Sequence, residues 1–260
     1  MKENIFSDVT LLITHYNRSN SLERLLKAFK DLDVIFNEII VSDDGSQPEH
    51  VNYIKKLVND YNFTLITAEV NKGLGNNINK GQLAVKTPYT LYVQEDFVPL
   101  AEFIPHFKDA LSFMGEEASL DIVRFYSYDK YPSMIPYKAG FSEMVYQPLH
   151  LDKNKVYYYS DHPHLRRDTF FEKFGKYREG VKVDKTEYSM CVSFLRGKGR
   201  GLFYNDFQSL FLQVNSSSEP STVQRNNWKQ SDNKAIAFGR WLYRYIKYTY
   251  DVAFNDKLRG

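Results

Sequence analysis

The sequence predicts an α/β fold, in which helices flank a mostly parallel, Rossmann-like sheet and a helical extension follows at the C-terminus. Two observations support this prediction. Apolar, β-branched segments alternate with segments of helical periodicity over residues 1–100, and such alternation produces parallel strands joined by right-handed crossovers. The polar clusters of this region directly follow the strands, where ligands bind in sheets of this kind.

Each predicted strand in residues 1–100 is a short apolar run, as expected for strands buried on both faces. The strands are expected at 9–14, 38–42, 63–67 and 89–93. Helices are expected between them, with Ser19 or Asn20 capping the first, apolar residues from Val51 to Val58 marking the second, and the third covering 78–85.

The second half of the sequence is less regular. Tyrosine and proline are frequent over 120–160, which favours strands and long loops. Short helices are expected at 169–174 and 188–195, a closing strand at 201–204, a polar loop at 215–220 and a final helix over 233–254.

Composition excludes several classes of protein. Hydrophobic residues make up 43% and charged residues 25% of the 260 residues, as in globular proteins. Lys and Arg total 34 against 32 Asp and Glu, which is unlike a dedicated nucleic-acid binder. The single cysteine, Cys191, is typical of a reducing compartment, and neither a signal peptide nor a transmembrane helix is expected. We therefore expect a cytoplasmic protein.

Adjacent carboxylates follow the fourth predicted strand, in the sequence Gln94-Glu95-Asp96. Carboxylates at a ligand-binding strand end suit a hard divalent cation such as Mg²⁺ or Mn²⁺, which binds oxygen ligands and bridges diphosphates. A solvated acidic turn is the alternative.

Two further polar segments are candidates for nucleotide binding. In Asp43-Asp44-Gly45-Ser46, a carboxylate could accept the imide N–H of uracil, although this sequence is also a good turn. In segment 14–18, Tyr16 could stack on a base and Arg18 lies near a helix N-terminus. His15 is expected to make local hydrogen bonds rather than to act as a catalyst.

A loop rich in glycine and asparagine spans residues 71–77. It matches neither a P-loop nor a dinucleotide-binding fingerprint, because the Gly-Lys-Ser/Thr ending and the Gly-x-Gly-x-x-Gly pattern are absent. Its flexible backbone, including Asn71 and Gly73, is expected to offer amides beside a nucleotide.

Together these motifs resemble the family 2 glycosyltransferases with a GT-A fold. The resemblance is carried, in order, by Thr14-x-Tyr16-Asn17-Arg18, 41–46, Asn71-Lys72-Gly73 with Asn79-x-Gly81, and Glu95-Asp96. It implies a GT-A domain over 1–222, with a nucleotide-binding half (1–100) and an acceptor-binding half (101–222), followed by the helical extension at 223–260.

The resemblance also implies inverting transfer from a nucleotide-diphosphate sugar, usually a UDP-sugar, with Mg²⁺ or Mn²⁺. By position, Thr14, Tyr16 and Asp44 would hold the uridine. Asp96 would ligate the metal, and Glu95, which stands inside the position of the family's Asp-x-Asp motif, would contact the nucleotide. The motif departs from the family at Gln94, which puts its ribose contact in question. Gln213 stands where a metal- or phosphate-binding histidine is frequent.

Inversion needs a general base that deprotonates the acceptor hydroxyl. The resemblance places that base near the start of a helix in the second half, within 183–188. Spacing favours Glu187, with Asp184 as the second candidate, and helix capping is the alternative role of both residues.

Segment 160–167 resembles the family segment that borders the donor sugar and the acceptor. From it we expect His162, His164 and Arg166 to stabilise the leaving diphosphate. A polar loop without a function is the alternative.

The predicted function is therefore transfer of a hexosyl or related sugar to a glycan or lipid-linked acceptor in bacterial surface or capsular polysaccharide synthesis. The alternatives are a non-catalytic GT-A-like domain that binds nucleotide or glycan, and a sugar nucleotidyltransferase, whose glycine-rich loop is missing after the first strand. Basic and aromatic residues alternate in the final helix, which is compatible with peripheral contact at the inner face of the membrane or with self-association.

Overall fold

The computed structural model of the protein describes residues 4–215, Glu219 and residues 234–255. The strands are β1 (Asn4–His15), β2 (Val34–Asp43), β3 (Thr64–Thr67), β4 (Tyr89–Gln94), β5 (Phe97–Pro99), β6 (Ile122–Arg124), β7 (Met134–Pro136), β8 (Phe141–Met144), β9 (His164–Arg167), β10 (Gly201–Tyr204) and β11 (Phe211–Gln213). The helices are α1 (Ser19–Asp31), α2 (Pro48–Tyr61), α3 (Leu74–Gln82), α4 (Phe103–Glu116), α5 (Phe170–Phe174), α6 (Val183–Arg196) and α7 (Lys234–Phe254), and a 3-10 helix spans Lys153–Val156.

The main sheet is mixed, with the strand order β3-β2-β1-β4-β9-β6-β10-β8-β7. Strands β3, β2, β1 and β4 are parallel, as predicted for the first half of the chain. Strand β9 runs antiparallel to both of its neighbours, β4 and β6. A separate two-stranded ribbon pairs β5 with β11, and brings the segment after β4 next to Gln213.

Alternating side chains of the central strands build two apolar cores, one on each face of the sheet. Leu11 and Ile13 of β1 join the core covered by α1, α2 and α4, whereas Leu12 joins the core covered by α3, α5 and α6. This period of two is the geometry of a strand buried on both faces. The predicted α/β fold class, with helices on both faces, is therefore confirmed.

The strand order places a crevice between β1 and β4. Strand β1 lies between β2 and β4 in the sheet. The connections from β1 lead to β2 and β3 on one side, and the chain then returns to form β4 on the other side. Thr14 and Gln94 are paired at the carboxyl ends of the two strands. In open α/β sheets, ligands bind at such a topological switch point.

A buried carboxylate anchors the first turn of α1. Glu219 accepts hydrogen bonds from the backbone N–H groups of Asn20 (2.9 Å) and Ser21 (2.8 Å), and from the Ser21 hydroxyl (2.6 Å). These amides have no partner within the helix, and a negative charge beside them is favourable. The contact holds part of the predicted 215–220 loop against the helix that begins beside the crevice.

Several predicted boundaries differ from those of the structure. Strand β1 begins at Asn4 and β2 at Val34, whereas α3 begins at Leu74, inside the predicted loop. Strand β10 pairs with β6 and β8, so it is an internal strand of the sheet. The boundary at 222, the first residue of the 233–254 helix and parts of the 215–220 loop lie outside the described residues.

Helix α7 packs on α6 and on the 3-10 helix, with Tyr248 against Tyr188 at 4.9 Å between ring centroids. None of the helices in the described ranges is long and apolar enough to cross a membrane.

Candidate active site

A cleft of about 550 Å³ opens at the carboxyl ends of β1 and β4. It is bordered by polar segments from both halves of the chain. Its lining residues are Thr14, His15, Tyr16, Arg18, Asp44, Asn71, Gly73, Leu74, Asn77, Gln94, Glu95, Asp96, Tyr128, Asp161, His162, Val183, Asp184, Glu187 and Gln213. The four motifs of the first half thus meet in one place, together with the candidate base residues of α6.

The end of β1 is shaped by a buried, neutral histidine. His15 Nδ1 lies 2.8 Å from Asp43 Oδ1, and His15 Nε2 accepts the backbone N–H of Arg18 at 3.0 Å. The accepting Nε2 leaves the proton on Nδ1, which donates to Asp43. Burial lowers the pKa of His15, although the Asp43 carboxylate acts in the opposite direction. His15 therefore positions Arg18, in agreement with its predicted local role.

Asp44, which directly follows β2, binds the backbone of the 71–73 loop. Its carboxylate oxygens accept the backbone N–H groups of Lys72 and Gly73, each at 2.9 Å. Burial raises the pKa of Asp44, whereas these two hydrogen bonds lower it. Gly45 follows with φ +68°, and a Cβ at this position would lie 2.5 Å from the backbone of Val70. The turn therefore requires glycine, and the predicted loop amides of Lys72 and Gly73 are bound by Asp44 rather than offered to a nucleotide.

Glu95 and Asp96 share one guanidinium group. Arg18 Nη1 lies 3.5 Å from Glu95 Oε1 and 3.4 Å from Asp96 Oδ2. Burial and the Asp96 charge raise the pKa of Glu95 to about 8, although Arg18 opposes this rise. The arginine side chain is itself held by the Asn215 side chain and the Glu219 carbonyl. Arg18 thus balances negative charge at the position of the expected cation.

Asp96 lines the cleft, and one of its two carboxylate oxygens has no hydrogen-bond partner among the described residues. Its Oδ2 accepts a hydrogen bond from Gln213, whereas its buried Oδ1 has no hydrogen-bond partner in the described part of the chain. No group of three or more His, Cys, Asp or Glu side chains that could hold a metal occurs within 4–215, 219 and 234–255. Mg²⁺ is commonly bound by one or two carboxylates plus substrate phosphates. The residues therefore fit a cation that is shared with a diphosphate, but do not form an all-protein metal cage.

Both candidate bases lie on one side of α6. Asp184 and Glu187 are three residues apart, so they project in the same direction, and both line the cleft. Asp184 is exposed, whereas Glu187 is partly buried. Burial raises the pKa of Glu187, and the Asp184 charge acts in the same direction, but the Ser160 hydroxyl, the Asp161 amide and the Arg124 charge oppose the rise. Of the two candidate bases, Glu187 is therefore the one whose carboxylate accepts hydrogen bonds, from the Ser160 hydroxyl and the Asp161 amide.

His162 lies in the cleft as a neutral side chain. Its pKa is lowered to about 3 by burial and by the Arg124 charge. Its Nδ1 lies 2.9 Å from the Ser160 hydroxyl, and its ring packs edge-on against Tyr128 at 4.7 Å. His162 can therefore orient a ligand by hydrogen bonding, but it cannot supply the positive charge expected of it beside a diphosphate.

Three predicted site residues lie outside the cleft. Asp43 is fully buried and bonds His15 and Ser46, so it supports the turn rather than contacting a nucleotide. His164 and Arg166 belong to β9 and are fully buried. Arg166 donates to Gln82 at 2.6 Å and to the hydroxyl of Tyr177 at 2.5 Å. The prediction that these two side chains border the diphosphate is therefore wrong, because a polar segment forms an internal strand.

Other lining residues were not predicted. Tyr128 and Asp161 come from loops of the second half, and Asn77 from the first turn of α3. Asp161 lies within segment 160–167, where the histidines and arginines were selected instead. Its position immediately before His162 is the sequence signal that could have identified it.

A smaller pocket of about 230 Å³ adjoins the cleft. The two share Tyr128, His162 and Glu187. The remaining lining residues of the smaller pocket are Arg124, Ser127, Asp129, Lys130, Tyr131, Asn154, Tyr157 and Ser160. Glu187 therefore lies where the two cavities meet.

Solved structures of glycosyltransferases have a similar fold. Residues 1–349 of TarS from Staphylococcus aureus, in complex with UDP-GlcNAc, align with a TM-score of 0.61 and 16% identity, over 94% of this chain and 73% of that chain. The mannosyltransferase PcManGT from Pyrobaculum calidifontis, in complex with GDP-Man and Mn²⁺, aligns with a TM-score of 0.58 and 12% identity, over 96% of this chain and 64% of that chain. At this level of identity the likeness establishes the fold alone.

Named relatives are similar over part of the chain. Poly-beta-1,6-N-acetyl-D-glucosamine synthase of Staphylococcus epidermidis is 27% identical over 90 residues, which are 35% of this chain and 22% of that protein. Cholesterol galactosyltransferase of Borreliella burgdorferi is 28% identical over 88 residues, or 34% of this chain and 25% of that protein. The aligned segment thus spans a quarter or less of either relative.

The sequence model of glycosyl transferase family 2 matches residues 10–204. This range runs from within β1 to the end of β10, and it includes both candidate bases and every cleft residue except Gln213. Since the match covers well over half of the 260 residues, the chain belongs to glycosyl transferase family 2.

Proposed function

We propose that the protein is an inverting glycosyltransferase that moves a sugar from a nucleotide-diphosphate sugar, a UDP-sugar, to a hydroxyl group of a glycan or lipid-linked acceptor. One observation carries the proposal: Asp44, Asp96 and Glu187 line a single cleft at the switch point of the sheet. We assign the reaction to bacterial surface or capsular polysaccharide synthesis, a role supported by the polymer named in the staphylococcal relative.

The nucleotide occupies the part of the cleft formed by the first half of the chain. Tyr16 offers a ring for stacking, and Thr14 and Asp44 offer oxygen acceptors for the uridine. Asn71 and Gly73 border the same space. Support for a uridine nucleotide comes from the TarS complex with UDP-GlcNAc, whose fold this chain shares.

The diphosphate lies beside Arg18, Glu95 and Asp96. Asp96, through Oδ1, and Glu95 would hold a Mg²⁺ or Mn²⁺ ion, which supplies positive charge to a leaving diphosphate when it is bound. Arg18 supplies a second positive charge at the same place through Nη1, because its Nη2 already donates to Asn215 and to the Glu219 carbonyl. Support for a cation comes from the Mn²⁺ in the PcManGT complex.

Glu187 acts as the general base. It removes the proton of the acceptor hydroxyl while the acceptor oxygen bonds to the anomeric carbon. The bond from that carbon to the diphosphate oxygen breaks, and its electron pair leaves with the nucleotide diphosphate. Attack opposite the leaving group inverts the anomeric configuration. Three groups favour the ionised form of Glu187, namely the Ser160 hydroxyl, the Asp161 amide and the Arg124 guanidinium.

The acceptor enters through the smaller pocket, because this pocket opens to the cleft at Glu187. Tyr128, Tyr131 and Tyr157 line it, and tyrosine rings are suited to pack against sugar faces. Filling the pocket with Asn154→Trp is expected to raise the KM for the acceptor and to leave UDP affinity unchanged, with Asn154→Ala as the matched control. A weaker UDP affinity without a change in acceptor KM would contradict this assignment.

Helix α7 provides the membrane contact. Its exposed positions from 238 to 254 carry no charge; they are Phe238, Gly239, Leu242, Tyr243, Ile246, Tyr250, Ala253 and Phe254. Its sequence has Lys234, Arg240, Arg244 and Lys247 against Asp251 alone. An apolar helical face on a basic helix suits an anionic membrane surface, where a lipid-linked acceptor would be found.

Vesicle sedimentation tests this contact. The protein should sediment with phosphatidylglycerol vesicles more than with phosphatidylcholine vesicles, and Leu242→Glu with Ile246→Glu should abolish the difference. Ile135→Glu, at an exposed apolar residue of β7, is the control. Equal recovery of the double variant and the wild type, or self-association without vesicle binding, would contradict a membrane role for α7.

Transfer is tested by incubating the protein and Mn²⁺ with UDP-sugars and glycan or lipid-linked acceptors. Release of UDP that depends on the acceptor, with a product of inverted anomeric configuration by NMR, is the expected result. The main alternative is a non-catalytic GT-A-like domain, which the departures at Gln94 and Gln213 favour. Nucleotide binding without turnover of any donor would establish that alternative.

A further inference from the structure

Asp161 is a buried carboxyl group among the lining residues of the cleft, and the reaction described above does not use its side chain. It is 4% exposed and lines the cleft together with Glu187. Its Oδ1 accepts the Tyr159 hydroxyl at 2.9 Å, whereas its Oδ2 is buried and has no hydrogen-bond partner among the described residues. A buried polar atom without a partner is costly unless a ligand completes it.

A directed chain of hydrogen bonds ends at Asp161. Arg166 donates to the Tyr177 hydroxyl at 2.5 Å, and the hydroxyls of Tyr177 and Tyr159 lie 2.5 Å apart. Since Tyr159 donates to Asp161 Oδ1, it accepts from Tyr177. The chain therefore uses Oδ1 as an acceptor and leaves Oδ2 as the oxygen that still lacks a partner among the described residues.

Asp161 and Glu187 are neighbours with unequal surroundings. The backbone N–H of Asp161 lies 3.4 Å from Glu187 Oε1, and Glu187 also has the Ser160 hydroxyl and the Arg124 charge to favour its ionised form. Two adjacent carboxylates in one buried site cannot both ionise readily, so a proton remains on the less stabilised one. Asp161, with one hydroxyl donor, is that member.

We propose that Asp161 is a further catalytic residue, a carboxylic acid that keeps its proton and donates a hydrogen bond from Oδ2 to an oxygen of the transferred sugar while Glu187 acts as the base. This inference rests on the proposed function. The proton of the acceptor hydroxyl goes to Glu187, the electron pair of the broken bond leaves with the diphosphate, and Asp161 retains its own proton throughout.

The electrostatic surroundings agree with this assignment. Burial and the Glu187 carboxylate raise the pKa of Asp161, and they outweigh the opposing effects of the Tyr159 hydroxyl and the Arg166 charge. The titratable or charged groups that surround the pair are Glu187, Asp184 and Cys191 on α6, Tyr157 after the 3-10 helix, Tyr159 and His162 beside the pair, Tyr177 after α5, Arg166 on β9, Tyr92 on β4 and Arg124 on β6.

Substitutions separate a proton-bearing acid from an ionised base. Asp161→Asn keeps a neutral group with an N–H donor and should lower kcat for transfer by about tenfold, whereas Asp161→Leu should lower it by about a hundredfold. Glu187→Gln should lower it more than either variant. Asp168→Asn, at an exposed aspartate, is the control. An Asp161→Asn variant as inactive as Glu187→Gln, or a fully active Asp161→Leu variant, would overturn the proposal.

Infrared spectroscopy tests the protonation state without turnover. The difference spectrum of wild type minus Asp161→Asn at pH 7 should contain the C=O stretch of a protonated carboxylic acid that shifts in D₂O. A difference confined to carboxylate bands would overturn the proposal. Because this measurement needs no substrate, it remains decisive even if the wild type transfers no sugar, a result that would count against the proposed function instead.

Discussion

Gln213 donates a hydrogen bond from Nε2 to Oδ2 of Asp96 over 2.9 Å. Its amide oxygen accepts the Tyr128 hydroxyl at 2.6 Å, so the network assigns the nitrogen to the carboxylate side. Gln213 was predicted as a metal ligand; in this arrangement its amide nitrogen lies on the side of Asp96 and its oxygen accepts the Tyr128 hydroxyl. It therefore positions Asp96 and leaves Oδ1 of that residue for a ligand.

Asp96→Asn is expected to weaken UDP binding in the presence of Mn²⁺ by about ten- to a hundredfold, because it removes the charge and keeps the shape. Isothermal titration with and without Mn²⁺ measures this effect. Gln213→Ala should have a smaller effect, and Gln208→Ala, at an exposed residue outside the cleft, should have none. Unchanged metal-dependent binding in Asp96→Asn would remove Asp96 from the cation site.

Glu187→Gln is expected to reduce kcat by about a hundred- to ten-thousandfold, the typical contribution of a general base. The affinity for UDP should remain close to that of the wild type, because the substitution changes no group at the nucleotide end of the cleft. Steady-state kinetics with calorimetry separates the two quantities. Asp184→Asn should retain more activity than Glu187→Gln, and the reverse order would assign the base to Asp184.

In the pH profile of sugar transfer, the acid limb should lie at a pH above 4.5, the ordinary pKa of glutamate. Burial raises the pKa of Glu187, and a base must be ionised to accept a proton. Activity is therefore full above the raised pKa and falls as the pH falls through it. A pH profile of kcat/KM checks this, and an acid limb at or below pH 4.5 would exclude Glu187 as the base.

Stability should fall in mild acid because His15 is buried as a neutral side chain. Its pKa is lowered in the folded protein, so the unfolded chain binds a proton that the folded chain does not. The free energy of unfolding should fall as the pH drops below about 6.5. In His15→Gln this part of the dependence should disappear. Urea unfolding between pH 8 and 5 measures it, and parallel curves for the two proteins would contradict the assignment.

The parallel half of the fold was predictable because its signals are local. Residues 9–14 and 89–93 are apolar runs, and each is followed by polar residues that reach the cleft. In contrast, α3 begins at Leu74 although glycine and asparagine disfavour helix there. Tertiary packing overrides these helix propensities. Gly75 is required by that packing, because a Cβ at this position would lie 2.3 Å from the Arg178 carbonyl oxygen.

The second half was less predictable because its strands are short and their burial depends on distant partners. Segment 164–167 is polar in sequence, yet the Arg166 side chain is satisfied by Gln82, which lies 84 residues away. Asp161 and Tyr128 reach the cleft from loops, and neither position follows a periodic pattern. Glu187 was found because the family places a base near that helix, and its contacts with Ser160 and Asp161 emerge only from the fold.

The most direct test of the donor site is calorimetric or thermal-shift binding of UDP, GDP and CMP, each with and without Mn²⁺. We predict stabilisation by UDP that depends on Mn²⁺, and loss of that dependence in Asp96→Asn. Absence of a response to every nucleotide would contradict the proposed donor site.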